Sequence, residues 1–470
     1  MKKNIILSYV NGITDRLHGE GYRQISRYFF PEFVTAVILY SIPLLIDARW
    51  IAHLKSTSAY ATLGVTNTLL HSIIKIAEGI SVGTIIMTGQ FNGVGNVKRA
   101  GNALVNAFWT TLLTGGLIAA VLFFGAYHIY AWYRMPADVI GLGVPFLRLR
   151  AIGIFFTFVY FALIGFLRGI KNTQTPMRIF MAGCGVFLAL DYVLIFGAFG
   201  VPPLGLIGSA IASVVQSVVM CALALYYVLR SVELKAYEIN LFSSFMSWGH
   251  FKELLYLSLP VMIDKAALSF CYVWLGFCLA PMGTCALASF SVVKDLERFA
   301  LLPAIAFAQV VTFLVSNDYG KGDWGGIKNN IKKIVFLSSI SVFVLLFICS
   351  RYPIEIIRMF DFKGEFTAFA AQAFPVISVL AFFDVLQLIL AGALRGAANV
   401  QIVMWTRLIS CALFFAPVAF LCSRVYTENA VLKFIIVYSS LYICNAVMSV
   451  VYIKRFRGHG WKNKVLKGVS

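Results

Sequence analysis

The chain has 470 residues, 60% hydrophobic and 13% charged, with a mean hydropathy of +0.84, and so lacks the polar surface of a soluble domain. Its net charge of +19 would suit nucleic acid. The basic residues lie between and beyond apolar stretches rather than on one amphipathic element, however, and the positive-inside rule of membrane proteins accounts for them better.

Met1 to Arg27 is polar and lacks the short apolar core and small-residue site of a cleavable signal, so the first helix is expected to be retained. A helix needs about 20 apolar residues to cross the hydrocarbon, and polar breaks divide the chain into such stretches. They predict spans at Pro31–His53, Ala61–Met87, Ala103–Tyr130, Ile140–Phe166, Pro176–Phe199 and Leu204–Leu229. After a linker carrying Arg230, Lys235 and Lys252, a second set follows at Leu254–Pro281, Ala286–Ser316, Ile334–Tyr352, Ala368–Ala393, Val403–Arg424 and Val431–Ile453. The expected fold class is an all-α polytopic membrane protein of twelve helices. Its divisions are an N-lobe at 1–229, a linker at 230–253, a C-lobe at 254–453 and a basic tail at 454–470.

Lys2, Lys3, Arg16, Arg23 and Arg27 precede the first span, and Lys454, Arg455, Arg457, Lys462, Lys464 and Lys467 follow the last without an acid among them. Both termini are therefore expected on the cytoplasmic side, as are the loops with Lys98/Arg99, Arg168/Lys171 and Lys321/Lys328. The cysteines at 184, 221, 271, 278, 285, 349, 411, 422 and 444 show no CxxC spacing and read as reduced packing residues.

An internal repeat organises the chain. Gly165-Phe-Leu-Arg-Gly169-Ile-Lys-Asn172 recurs as Gly392-Ala-Leu-Arg-Gly396-Ala-Ala-Asn399, an offset of 392 − 165 = 227. Gly93-Val-Gly95-Asn96 maps onto Gly320-Lys-Gly322-Asp323, and Ala59 and Ala61 onto Ala286 and Ala288, at the same 227. Each six-helix unit returns to its starting side, so the two copies are expected to insert in the same direction. They would be related by an axis along the membrane normal, with a cavity between the halves.

Ionisable side chains at membrane depth are costly and mark ion or substrate pathways by default. Asp47 lies in the first span, four residues after Pro43, and can hold a proton or sodium ion in one state and release it in another. Arg49 is two residues on and faces elsewhere. Asp191 lies mid-span in the fifth helix with no sequence neighbour to neutralise it. Asp384 and Gln387 share a face of the tenth span. Asp264 follows Pro260 near the start of the seventh, where solvation is expected. The repeat partners of Asp47, Asp191, Asp384 and Gln387 are Trp274, Val418, Thr157 and Tyr160, so the halves share a frame and no ionisable site. His71, Lys75 and Glu78 on the second span, and Lys294, Asp295, Glu297 and Arg298 on the eighth, read as self-neutralising clusters. The glycine turns lack a strand before them and a Walker lysine, and the histidines are dispersed, so neither nucleotide use nor catalysis is expected.

Taken together, these motifs resemble those of the multidrug and toxic compound extrusion (MATE) transporters over almost the full length. The matches are Ile46-Asp47, the Gly93–Asn96 turn with Lys98-Arg99-Ala100, Leu167-Arg168-Gly169 to Pro176, and Asp191 before Leu194-Ile195-Phe196-Gly197. In the second half they are Ser258-Leu259-Pro260, Gly283 to Ala288, Gly320–Asp323 and Asp384-Val-Leu-Gln387 through Leu394-Arg395-Gly396. The resemblance implies two six-helix bundles around a central cleft, with proton or sodium entry driving export of organic cations from a bacterial inner membrane. It implies no cofactor beyond the coupling ion, a small-molecule partner and a monomer in the bilayer. It places the amino-lobe coupling site at Asp47 and Asp191, although Phe187 stands where the family commonly has an asparagine. In one branch a seventh-helix acid joins an aspartate equivalent to Asp384; here Leu268 holds the acid's place and Asp264 is a displaced substitute. Sodium at Asp384 or at Asp47/Asp191 is the alternative to a proton. A lipid-linked oligosaccharide flippase is the alternative function, favoured by the membrane-depth cations Arg49, Lys75, Lys265 and Lys294.

Overall fold

The computed structural model describes residues 5–15, 18–40, 42–54, 56–242, 247–361 and 364–462. Lys2, Lys3, Arg16, Lys464, Lys467 and the side chain of Pro43 lie outside the described residues. Every regular element described is helical. In chain order these are α1 (Ile5–Thr14), α2 (Tyr22–Tyr40), α3 (Ile42–His53), α4 (Thr57–Val94), α5 (Val97–Trp132), α6 (Ala137–Gly169), α7 (Gln174–Phe196) and α8 (Leu206–Arg230). Then follow α9 (Trp248–Leu279), α10 (Thr284–Ala300), α11 (Leu302–Lys321), α12 (Trp324–Arg351), α13 (Pro353–Arg358), α14 (Thr367–Gly396), α15 (Val400–Ile409), α16 (Ala416–Arg424) and α17 (Ala430–Arg457).

Among the described residues, ten helical segments are long and apolar enough to cross a bilayer, and α10 with α11 forms an eleventh span bent by 47°. α2 and α3, on either side of Ser41, which lies outside the described residues, occupy the first predicted span. The eighth span departs from expectation, because Leu301 separates α10 from α11 and Pro303 stands at the start of the latter. Proline supplies no backbone N–H and its ring clashes with the carbonyl four residues earlier, which kinks a helix. The repeat partner of Pro303 is Ile76, and there α4 runs unbroken from Thr57 to Val94. The eleventh span is likewise not one regular α-helix, since a π-helical stretch at Ser410–Phe415 joins α15 to α16.

The repeat offset reappears in the helix ends. α4 and α11 end at Val94 and Lys321, α6 and α14 at Gly169 and Gly396, and α8 and α17 at Arg230 and Arg457, each pair 227 apart. The reason is local: Gly95 and Gly322 adopt left-handed φ of 83° and 72° and stop their helices. The next residues, Asn96 and Asp323, cap α5 and α12 by accepting from the N–H groups of Arg99 and Gly326. Packing repeats too. A Cβ on Gly165 would stand 2.8 Å from the Ser81 carbonyl oxygen, and one on Gly392 would stand 2.8 Å from that of its repeat partner Ala308. Only glycine lets α6 lie so close on α4, and α14 on α11.

The chain forms two compact units, Phe30–Met262 and Ile263–Gly468, with the segment up to Phe29 joined to the second. Both boundaries fall inside helices, α2 and α9, rather than in the polar linker at 230–253. The leading segment is tied to α12 by hydrogen bonds: Asn330 Oδ1 accepts from the Glu20 N–H at 2.7 Å, and Lys333 Nζ donates to the Glu20 carbonyl at 3.0 Å.

Outside the spans, Asp361 organises the entry to α14. Its carboxylate accepts from the N–H groups of Glu365, Phe366 and Thr367 and from the Thr367 hydroxyl. Burial pushes this carboxyl upward, but those bonds outweigh it and hold it below the usual carboxylate range. A depressed carboxyl contributes stability that is present above its unfolded value, about 3.9, and is lost as pH falls through the folded value. Asp361→Ala should therefore unfold at a lower temperature than wild type at pH 7, with the gap closing below about pH 3.9. Fluorimetric melts across that range check it, and a gap independent of pH would count against the carboxylate as the cause.

Candidate functional site

In the first unit, α3 carries Asp47 and α7 carries Asp191, both buried at 4% and 0% exposure. Ser209, in the first turn of α8, donates its hydroxyl to Asp47 Oδ1 at 2.7 Å. Neither oxygen of Asp191 meets hydrogen-bond geometry, although the Ser209 hydroxyl stands near enough to act on it as well as on Asp47. The two carboxylates and Arg150 of α6 are near enough to interact electrostatically. The structure thus brings together both amino-lobe residues expected from the sequence, and adds Arg150 and Ser209 to them.

A cavity of about 170 Å³ opens beside this group. Asp47, Asn67, His71, Arg150, Thr157 and Gln216 supply its polar lining, and Tyr160, Phe161, Phe180 and Phe187 its aromatic wall. Phe187 brings a hydrocarbon ring where an asparagine would bring hydrogen bonds, so Ser209 is the described hydrogen-bond donor to Asp47. On α4, Lys75 Nζ pairs with Glu78 at 3.0 Å, which matches the expected self-neutralising cluster there.

In the second unit, Asp384 of α14 is half-buried, and Asn445 of α17 donates to its Oδ1 at 2.5 Å. Gln387 shares the helix and is buried, with the Tyr452 hydroxyl near its side-chain amide. Asp264 is not solvated as its place near a helix start suggested. It is 2% exposed, bonded to Arg395 and to Arg407 Nε, the latter at 2.5 Å. Its position in α9 is internal because that helix begins sixteen residues earlier, at Trp248. Two guanidiniums on one carboxylate leave Asp264 as a structural anchor of α14 and α15 rather than an open ion site.

The eighth-span cluster neutralises itself in part, with Lys294 Nζ 3.9 Å from Asp295, but Glu297 stands apart from it. Glu297 is 5% exposed and accepts from the Tyr438 hydroxyl at 2.6 Å, while its Oε1 has no partner. Glu297, from the eighth span, stands near enough to Asp384 to interact with it electrostatically. Helical periodicity carried the signal: Glu297 continues the buried stripe of Phe290, Val293 and Ala300, whereas Lys294, Asp295 and Arg298 fall off it. Among the described residues no three His, Cys, Asp or Glu side chains form a metal-holding group.

The frame arginines are held in both units. Arg168 Nε and Nη2 each meet a carboxylate oxygen of Glu32 at 2.8 Å, a buried fork-to-fork pair. Arg395 meets Asp264 in the second unit. The acids come from α2 and α9, but Glu32 and Asp264 are not repeat partners, since Glu32 maps onto Leu259.

The MatE family model matches residues 33–193 and 260–421, two stretches that begin 227 residues apart. A probable multidrug resistance protein NorM of Rhizobium meliloti is 26% identical over 382 residues, covering 80% of each chain. A probable multidrug resistance protein YoeA of Bacillus subtilis is 24% identical over 452 residues, covering 94% of this chain and 95% of its own. The solved outward-facing structure of a multidrug resistance MATE family transporter superposes with a TM-score of 0.85 over 94% of this chain and 97% of its own, at 17% identity, which shows the shared fold. These names favour export over the flipping of a lipid-linked oligosaccharide. With two matched stretches in register with its internal repeat, the chain belongs to the MatE family and is a multi-pass membrane transporter of the efflux type, not an enzyme.

Proposed function

We propose that this protein exports amphipathic, cationic organic compounds across the bacterial inner membrane by alternating access, coupled to entry of protons or sodium ions. Asp47 and Asp191 form the coupling site of the first unit, and Asp384 that of the second, with Gln387 and Glu297 beside it. The protein works as a monomer with both termini in the cytoplasm. The observation that carries this reading is Asp191, a wholly buried carboxyl in a membrane helix beside a second carboxyl, Asp47, with neither of its own oxygens in direct hydrogen-bond geometry. Such a group is expensive to keep in hydrocarbon, and a role in taking up and releasing a cation explains its retention. Carboxyl and hydroxyl oxygens are ligands for a hard cation as well as for a proton.

The test is ethidium efflux from cells under imposed proton or sodium gradients. Asp47→Asn and Asp384→Asn should each reduce gradient-driven efflux by about tenfold or more, the range in which one transition-critical charge acts. The gradient that still drives wild-type efflux when the other is collapsed identifies the ion. Unchanged efflux in both variants would reject the coupling assignment.

A further inference from the structure

The nine cysteines are free thiols, and three of them meet in the second unit. Cys271 of α9 donates to the Sγ of Cys411 at 3.0 Å, and Cys444 of α17 stands within hydrogen-bonding reach of the same Cys411 sulfur. All three are buried, Cys411 at 8% exposure and its two neighbours at 1% each. The cluster sits where the second unit departs from the first. Cys411 lies in the π-helical stretch Ser410–Phe415, whereas α7, the repeat counterpart of α15 and α16, is a single α-helix. The repeat partner of Cys411 is Cys184, but Leu44 and Ser217 stand at the places of Cys271 and Cys444, so the first unit does not repeat the cluster. α9 is tied to the π-helical region at three successive places. Asp264 meets Arg407 before it, Cys271 meets Cys411 within it, and the Trp274 indole N–H donates to the Ala416 carbonyl at 3.0 Å after it. Such π-helical turns are rare and concentrate at functional sites.

We propose that Cys271 and Cys411 form a thiol–disulfide switch that locks the π-helical stretch to α9, with Cys444 as the exchange partner of Cys411. Buried thiols are ordinarily inert packing groups. This pair differs because the second thiol is already in place, on another helix, and the sulfurs need to close by only about 1 Å to bond. The oxidant is a membrane-permeant peroxide. Cys411, the most accessible of the three, attacks one peroxide oxygen; the O–O bond breaks, Cys411 becomes a sulfenic acid, and the other oxygen leaves as water with the thiol's proton. The Cys271 sulfur then attacks that of Cys411, the S–O bond breaks, and a second water leaves with the Cys271 proton. Two thiols are oxidised to a disulfide and one peroxide is reduced to two waters. Attack by Cys444 on the Cys411 sulfur moves the bridge from α9 to α17 without further oxidation. A bridge to α9 stops any movement of that helix past α15 and α16. The bridge stands independently of the export reading above, and the loss of transport that follows from it rests on that reading.

The experiment places the purified full chain in proteoliposomes, treats it with hydrogen peroxide and removes the excess. One portion is denatured in the presence of N-ethylmaleimide and digested for peptide mass spectrometry, and the other is assayed for gradient-driven ethidium transport. A peptide linking Cys411 to Cys271 or Cys444 should appear, and transport should fall in proportion to the fraction bridged to Cys271. Dithiothreitol should separate the peptides and restore transport. Cys411→Ala should transport as wild type does before peroxide and keep that rate after it. The proposal is overturned if Cys411 is recovered alkylated, or as the sulfinic or sulfonic acid, without a linked peptide. It is overturned equally if a sample mostly bridged to Cys271 transports as fast as the reduced one. Wild-type mapping with dithiothreitol reversal decides the matter even where Cys411→Ala does not fold. Reduced wild type that transports no ethidium under either gradient sinks the export reading instead, and the peptide map alone then decides whether the thiols switch.

Discussion

Arg168→Met should destabilise the first unit by about 3–5 kcal/mol, the cost of leaving one member of a buried pair uncompensated. Glu32 is 2% exposed, and both its oxygens are engaged by the Arg168 fork. Removing the guanidinium leaves a carboxylate in a low-dielectric interior, so little folded protein should survive extraction. The double variant Glu32→Gln, Arg168→Met should recover much of the loss, because the stranded charge is gone. The equivalent Arg395→Met in the second unit should cost less, since Arg407 still holds Asp264. Detergent-extracted yield on size exclusion and the unfolding temperature measure all three. If Arg395→Met is the worse of the two single variants, the account of the frame arginines is wrong.

Asp191→Leu should have the opposite signature, with stability held or raised by about 1–3 kcal/mol, the scale of one buried unsatisfied polar group, and efflux lost. In wild type neither carboxyl oxygen meets hydrogen-bond geometry, so the substitution breaks no direct bond, and Asp47 remains beside Arg150 to offset its charge. Ser209 directs its hydroxyl to Asp47 and keeps that bond. Gains in stability with loss of function mark a site maintained against its folding cost. Parallel melts and ethidium efflux separate the cases. A variant that is less stable as well as inactive would assign Asp191 to packing.

The repeat was legible without coordinates because its signals are local. Helix-stopping glycines at 95 and 322, the capping residues Asn96 and Asp323, and the close-contact glycines at 165 and 392 act within a turn or on one neighbouring helix. Asp47 and Asp191 were legible for a related reason, as single carboxylates inside apolar runs. Glu297 was hidden by its company. Counting it with Lys294, Asp295 and Arg298 follows proximity along the chain, whereas the helix turns it toward Tyr438, 141 residues away. Asp264 was misplaced because its two arginines lie 131 and 143 residues ahead of it.

Hydropathy, repeat spacing and turn residues thus established by themselves a duplicated, all-helical membrane protein with a few carboxylates in its spans. Which of those carboxylates stay open was decided only by tertiary structure. Helix propensity and membrane partition act through a residue's own side chain and its near neighbours, but neutralising a buried charge takes a partner within a few ångströms. Here such partners are brought in from distant helices. They close Glu32 and Asp264, and gather Asp47, Asp191 and Arg150 beside one cavity.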